Sequence, residues 1–404
     1  MKKNLILKDY IYAGFFQFLN VISPFLILYF FLPIIGKSYY SNIILITAAG
    51  SYFKLVYEFG FDYFTAKRVS KDSTVHTKEI VFSGVFSAKI ILALIFFIPQ
   101  LFVSMILIND REFYFVILYC LSNILFSMVP NWYFLALQKF KQMAFLNLIC
   151  HSLIILCCFL LITEEKYWYH YATGFLVGHL IQFIISLFVV DLKSTSLNSV
   201  FNINLGKKYL LNSFAILKFN ILSNIYISSS VIILRILKTP PELITDFGIA
   251  EKVIRGIRQI ISPINRIAYP RLIKIYKKSI IIYNNRLIRF SLIIFSVGII
   301  LSYLVYENSL LIYKILNYPV NDDLIIFTNL LLPILTIGSL GGFLCVNKFI
   351  ARNREKQLIK IMLITSITFI VVSPFLIYSK SAVGGAIAVI FSELLLFILV
   401  IFKK

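Results

Sequence analysis

Acidic residues are the scarce class in this chain: 18 Asp and Glu stand against 39 Lys and Arg, for a formal net charge of +21. Extended polar sequence is scarcer still. The longest polar break between the early and late parts is DLKSTSLNSVFNINLGKKY, residues 191–209, so no sizeable soluble domain fits. Only five cysteines occur, Cys120, Cys150, Cys157, Cys158 and Cys345. All fall inside apolar runs, so nothing points to a disulfide framework. The four histidines are scattered and make no metal-binding motif. None is followed four or five residues later by aspartate, the acid–base spacing of many membrane acyltransferases. Outward loops are short, which leaves little room for a site of periplasmic glycosyl transfer. Gly36-Lys37-Ser38 ends like a phosphate-binding loop, but Phe31 occupies the place of the motif's first glycine.

What the chain has in abundance is apolar sequence. Hydrophobic residues make up 60% of it and the mean hydropathy is +0.89. A soluble fold cannot bury that much. A membrane span takes about 20 apolar residues. Such runs recur at 9–32, 41–65, 79–108, 112–137, 142–163, 167–190, 209–236, 245–270, 284–306, 325–349, 357–378 and 382–402. The pattern predicts an all-α polytopic membrane protein with twelve transmembrane helices, in halves of 1–191 and 209–404 joined by a cytoplasmic linker, 192–208. The first run keeps Lys8 and Asp9 at its start and lacks a small-residue cleavage site, so it reads as a retained span. With the N-terminus in the cytoplasm, 25 Lys and Arg fall in inner loops and inner helix ends and 6 in outward loops. That bias predicts both termini in the cytoplasm. It also explains the basic pI, so nucleic acid is not expected as a partner.

Eight cations lie deeper in the runs: Lys54, Lys89, Lys218, Arg235, Lys252, Arg255, Arg258 and Arg266. A charge at the bilayer centre costs about 2.5–3.5 kcal/mol, so these side chains are expected to face the protein interior or a water-filled cavity. At a rise of about 1.5 Å per residue, Lys54, Lys89 and Lys218 come near mid-membrane, whereas Arg235 is near an outer end and can snorkel. The eighth run, ITDFGIAEKVIRGIRQIISPINRIAYPRL, is the most polar. On an ideal helix Lys252, Arg255, Gln259, Ser262 and Arg266 share a face about 80° wide, with Arg258 and Glu251 at its edge. Pro263 and Pro270 are expected to kink its inner half. Carboxylates inside the runs are few, chiefly Glu58, Asp62, Glu251 and Glu393, so the cationic stripe calls for an anionic partner. Arginine suits phosphate in particular. Lys54, Glu58 and Asp62 also fall on one face, again about 80° wide. The substrate-binding candidates are therefore Lys54, Lys89, Lys218, Lys252, Arg255, Arg258 and Arg266, with Glu58, Asp62 and Glu251 as coupling or ion-pairing groups. The plainer reading of the same residues is internal salt bridging and snorkelling. Trp168, between Tyr167 and Tyr169, reads as part of an outer aromatic belt. A Phe-Gly pair occurs at 59–60 and again at 247–248, too short a match to establish an internal repeat.

Three stretches resemble a known family: EFGFDYFTAKRVSKD at 58–72, PNWYFLALQKFK at 130–141 and FGIAEKVIRGIRQIISPINRIAYPRL at 247–272. They look like the polysaccharide-transport flippases of the multidrug/oligosaccharidyl-lipid/polysaccharide exporter superfamily, most of all its O-antigen flippase (Wzx) branch. Leu135, Ala136 and Gln138 stand where Gln, Gly and Glu are common in that family, and Phe247 where Tyr is usual. The resemblance implies two six-helix bundles around a central cationic cavity and alternating access in the bacterial cytoplasmic (inner) membrane. It implies an undecaprenyl-pyrophosphate-linked oligosaccharide as cargo. It implies no cofactor beyond coupling to a proton or sodium gradient. Partners would be membrane lipids and the polymerase and chain-length regulator of the same pathway. The competing readings are a cation-coupled drug exporter of the same superfamily, which would want cavity carboxylates in excess, and a membrane enzyme of polysaccharide assembly, a polymerase or acetyltransferase.

Overall fold

In the computed structural model of the chain, every regular element among the described residues is helical. The structure describes residues 2–61, 65, 74–108, 112–137, 139–190, 202–261, 264–265, 268, 272, 275–276, 278–352 and 354–403. Eight helices among them are long and apolar enough to cross a membrane. Large apolar side chains such as Leu94, Ile98, Phe188 and Phe375 lie exposed on helix surfaces, as lipid-facing side chains do. The chain is an all-α, multi-pass membrane protein. It divides into two compact units, Met1–Ile221 and Leu222–Lys404.

In the first unit α1 (Lys2–Glu58) spans the first predicted run and most of the second and breaks at Gly36, whose backbone (φ 77°, ψ 162°) excludes side chains in practice. It stops at Phe59-Gly60, where consecutive residues take positive φ of 49° and 73°. The second Phe-Gly pair, Phe247-Gly248, is buried in mid-helix, so the two pairs do different jobs. Helix α2 (Val75–Leu107) opens on a Thr74 cap. Pro130 then separates α3 (Phe113–Met128) from the short α4 (Asn131–Ala136). Trp132, Tyr133 and Phe134 of the PNWYF stretch are buried, with Phe82 of α2 at 5.6 Å from Trp132 and 6.0 Å from Tyr133 between ring centres.

Helices α5 (Phe140–Leu161) and α6 (His170–Val189) pack closely because Gly174 and Gly178 remove side chains at the contact. A Cβ at position 178 would stand 2.5 Å from Ile154 Cγ1 and 3.0 Å from the Cys150 carbonyl oxygen. Trp168 corrects the belt expectation. It is buried in the unit, its ring 4.5 Å from Phe115 and stacked 5.6 Å from Tyr39, because the turn at Glu165–Tyr167 folds it back onto the helix ends.

Helix α7 (Ile203–Ile236) carries the division between the units. Its first turns belong to the first unit: the Asn202 amide donates to Ser87 Oγ at 2.8 Å, and Tyr209 packs over Gly84. The division between the units falls within α7, between Ile221 and Leu222. Of the predicted linker, residues 192–201 lie outside the described residues.

The second unit continues with α8 (Pro241–Arg258), which starts on Pro241 and carries six ionisable side chains, enough to keep it out of the eight apolar helices. Ser262, Pro263, Arg266 and Pro270 lie outside the described residues, so the predicted kink has no counterpart to compare. Next come α9 (Ile280–Ile315) and α10 (Asp322–Leu331), capped by the Ser279 and Asn321 side chains. After Pro333 the chain takes a π-helical turn (Ile334–Gly338), then α11 (Ser339–Leu344), then a second π turn (Cys345–Phe349). Gly298 of α9 lets the first π turn approach, since a Cβ there would be 2.6 Å from the Leu335 carbonyl oxygen. Helix α12 (Glu355–Phe402) breaks at Ser381 (φ 52°, ψ −136°). At one end of the unit the buried Asp246 carboxylate accepts from Tyr318 Oη and, at 2.6 Å, from Asn321 Nδ2, tying α8 to the entry of α10.

Candidate functional site

In the second unit the charged face of α8 is built almost wholly of ion pairs. Arg255 Nη2 and Nε both donate to Glu251 Oε1, at 2.8 and 3.0 Å, one helical turn back along α8. Arg258 reaches across to other elements: Nη1 lies 3.3 Å from Glu393 Oε1 of α12, and Nη2 donates to the Gly338 carbonyl in the first π turn. Gly338 and Gly342 leave the room that this guanidinium fills, since a Cβ at either would come within 3.3 Å of it. Lys252 is half-buried, and Gln259 is exposed just past the end of the helix.

This corrects the expectation of an uncompensated stripe. Among the described residues two of its cations, Arg255 and Arg258, pair with two carboxylates, Glu251 and Glu393. The two pairings differ in how far the sequence reveals them. Glu251 sits at the edge of the face on a helical wheel, yet the Arg255 side chain is long enough to reach it. Glu393 is 135 residues from Arg258 in sequence, and no helix periodicity reveals it. Arg266 lies outside the described residues.

In the first unit Lys54 of α1 is half-buried, with its ammonium 4.5 Å from the centre of the Phe126 ring. That ring lies 5.1 Å from His179 of α6, whose Nδ1 is 2.9 Å from Ser122 Oγ. His151 of α5 makes a matching contact, Nδ1 to Ser23 Oγ at 2.9 Å. Gln182 donates to Asn147 at 2.9 Å, one turn from each histidine. The buried Asn123 side-chain amide makes no hydrogen bond among the described residues. His151 and His179 form no metal group among the described residues, but they belong to a polar interior shared by α1, α3, α5 and α6. A signal was available: Asn147 with His151 and His179 with Gln182 stand four and three residues apart in otherwise apolar helices.

The other candidates separate. Lys89 is buried and donates from Nζ to the Ser127 carbonyl at the end of α3, a tie between helices. Lys218 is exposed on α7, 4.6 Å from the Phe214 ring centre. Glu58 is half-buried in the last turn of α1, four residues after Lys54. Asp62 lies outside the described residues.

No protein-family model matches the chain, and no curated protein matches it by sequence. Solved structures do match. An inward-facing multidrug resistance MATE family transporter of the MOP superfamily superposes with a TM-score of 0.74 at 12% identity, over 95% of this chain and 92% of that one. The lipid II flippase MurJ, in an inward closed conformation, gives 0.74 at 14% identity, over 98% and 87%. A eukaryotic MATE transporter gives 0.63 at 12% identity, over 98% and 96%. Identities this low establish architecture and leave cargo open. The chain is a multi-pass membrane protein with the fold that these MATE transporters and MurJ share.

Proposed function

We propose that the chain is a flippase for lipid-linked oligosaccharides. In this reading its twelve spans form two six-helix bundles around a cavity and move polyprenyl-pyrophosphate-linked repeat units of O-antigen or a related polysaccharide between membrane leaflets. The process is alternating access in a bacterial cytoplasmic membrane, with both termini in the cytoplasm and no covalent chemistry.

The observation that carries the reading is the Arg255–Glu251 contact. Two donors of the Arg255 guanidinium converge on one oxygen of Glu251, and a phosphate oxygen can take that oxygen's place. Cargo phosphate replaces the Glu251 carboxylate, and Glu251 takes up a proton as its partner leaves. That exchange couples cargo binding to a proton gradient. The test is export of repeat units in a flippase-deletion strain. Arg255→Ala and Lys252→Ala block export at normal protein level, and Arg255→Lys is milder. Full-length surface polysaccharide from the alanine variants overturns the reading.

A second reading, a cation-coupled drug exporter, draws on the TM-score of 0.74 with the multidrug transporter, equal to that with MurJ. It also draws on Glu251 and Glu393 as buried carboxylates able to meet a cationic drug. Proteoliposomes assayed in parallel with a labelled lipid-linked sugar and a cationic dye separate the two, since each reading predicts movement of one cargo only.

A further inference from the structure

A furrow of about 670 Å³ runs along the second unit between α9, α11 with the π turn after it, and the end of α12. Its walls are apolar: Ile288, Leu292 and Phe295 on one side, Leu340 and Leu344 on the other. Ile288 is 57% exposed, Leu292 59% and Phe295 41%, so the furrow opens on a helix surface and not into the core. At one end three cations line it, Lys348, Arg352 and Arg354. Lys348 Nζ donates to the carbonyls of Val400 and Ile401 at 2.9 Å each, which leaves one ammonium proton. Arg352 Nη2 donates to Asn284 Oδ1 at 2.6 Å, its guanidinium lies 4.7 Å from the Tyr283 ring centre, and its buried Nε meets no acceptor among the described residues. Among the described residues none of the three is ion-paired to a carboxylate.

An apolar trough with a cationic end is complementary to an anionic amphiphile. Length narrows the choice. From Asn284 to Phe295 the helix rises about 16 Å, half of a hydrocarbon core about 30 Å thick. The basic end is on the side that the loop charges assign to the cytoplasm, where basic pockets between helices meet anionic headgroups. We propose that this furrow is a binding site for one anionic phospholipid of that leaflet, with an acyl chain along Ile288, Leu292 and Phe295 and its phosphate at Lys348, Arg352 and Arg354. A polyprenyl tail longer than one leaflet overruns it.

The test is native mass spectrometry of the purified full chain titrated with palmitoyl-oleoyl phosphatidylglycerol or its phosphatidylcholine counterpart. One phosphatidylglycerol binds more tightly than phosphatidylcholine. Arg352→Gln with Arg354→Gln weakens phosphatidylglycerol by about thirtyfold, the effect of two cations on an anionic headgroup, and leaves phosphatidylcholine unchanged. Leu292→Trp fills the trough from its exposed side and weakens both lipids alike. Equal affinity of the native chain for the two lipids overturns the proposal, as does wild-type phosphatidylglycerol binding by the charge variant. Displacement of phosphatidylglycerol by a smaller concentration of polyprenyl phosphate gives the furrow to cargo and overturns it too.

Discussion

Arg258 and Glu393 offer a double-mutant cycle whose outcome follows from their geometry. Glu393 is almost fully buried, with 3% of its side chain accessible, while Arg258 keeps 24%. Removing one member of a buried pair costs about 3–5 kcal/mol because the survivor is left charged and desolvated. The partial exposure of the guanidinium and its second bond, to the Gly338 carbonyl, put this pair at the lower end. We expect about 3 kcal/mol of destabilisation from Arg258→Met and a similar loss from Glu393→Leu. The double variant strands no charge and fills the space with apolar atoms. Its loss falls well short of the sum, a coupling of at least about 2 kcal/mol. Cys345 lies in the same unit and is buried. Its labelling by a thiol reagent on heating in detergent, quantified by mass spectrometry, therefore reports opening of this region. A double variant whose midpoint stands well above the sum of the two single losses supports the pair. A double variant as weak as the two losses added refutes the reasoning, because the contact then carries no energy of its own.

Two further outcomes follow. Gly178→Ala forces α5 and α6 apart at Ile154 and Cys150, at a cost of about 1–3 kcal/mol; Ile154→Ala restores part of the loss, and unchanged thermal stability of Gly178→Ala would show that the helices do not touch as described. At Lys54, a merely neutralising role beside Glu58 predicts that the Lys54→Ala/Glu58→Ala double variant regains export lost in Lys54→Ala, whereas a role in the transport path predicts that both remain inactive at normal membrane level.

The helices were legible because hydrocarbon leaves an apolar segment few other backbone solutions. Both main interruptions were legible too. Gly36 and Ser381 break α1 and α12 where the apolar runs pause. Hydropathy and helicity separate at α8, which folds as a helix although its charges remove it from the apolar set. The division within α7 was hidden because it depends on packing: Gly84, Ser87 and Ala88 of α2 hold the first turns of a helix whose remainder belongs to the other unit. The π turns around α11 left no local mark beyond Pro333.

The charged residues divide by how far away their partners stand. Helix spacing exposes Glu251 and Arg255 as a possible pair, since four residues separate them on one helix. It cannot expose Glu393 beside Arg258, nor Ser122 beside His179 across 57 residues. A count of charges does not show which of them meet, and the same spacing fits both a cargo site and a salt-bridge ladder. Geometry now distinguishes the arginines. Arg258 is tied to α12 and to the first π turn, so an anion arriving there would have to break contacts between three elements. The two hydrogen bonds of Arg255 both run to Glu251 of its own helix, and exchanging that carboxylate for phosphate breaks no hydrogen bond between α8 and its neighbours. If one of the two meets a phosphate while the unit stays intact, the structure favours Arg255, with Arg258 fixing the helix that presents it.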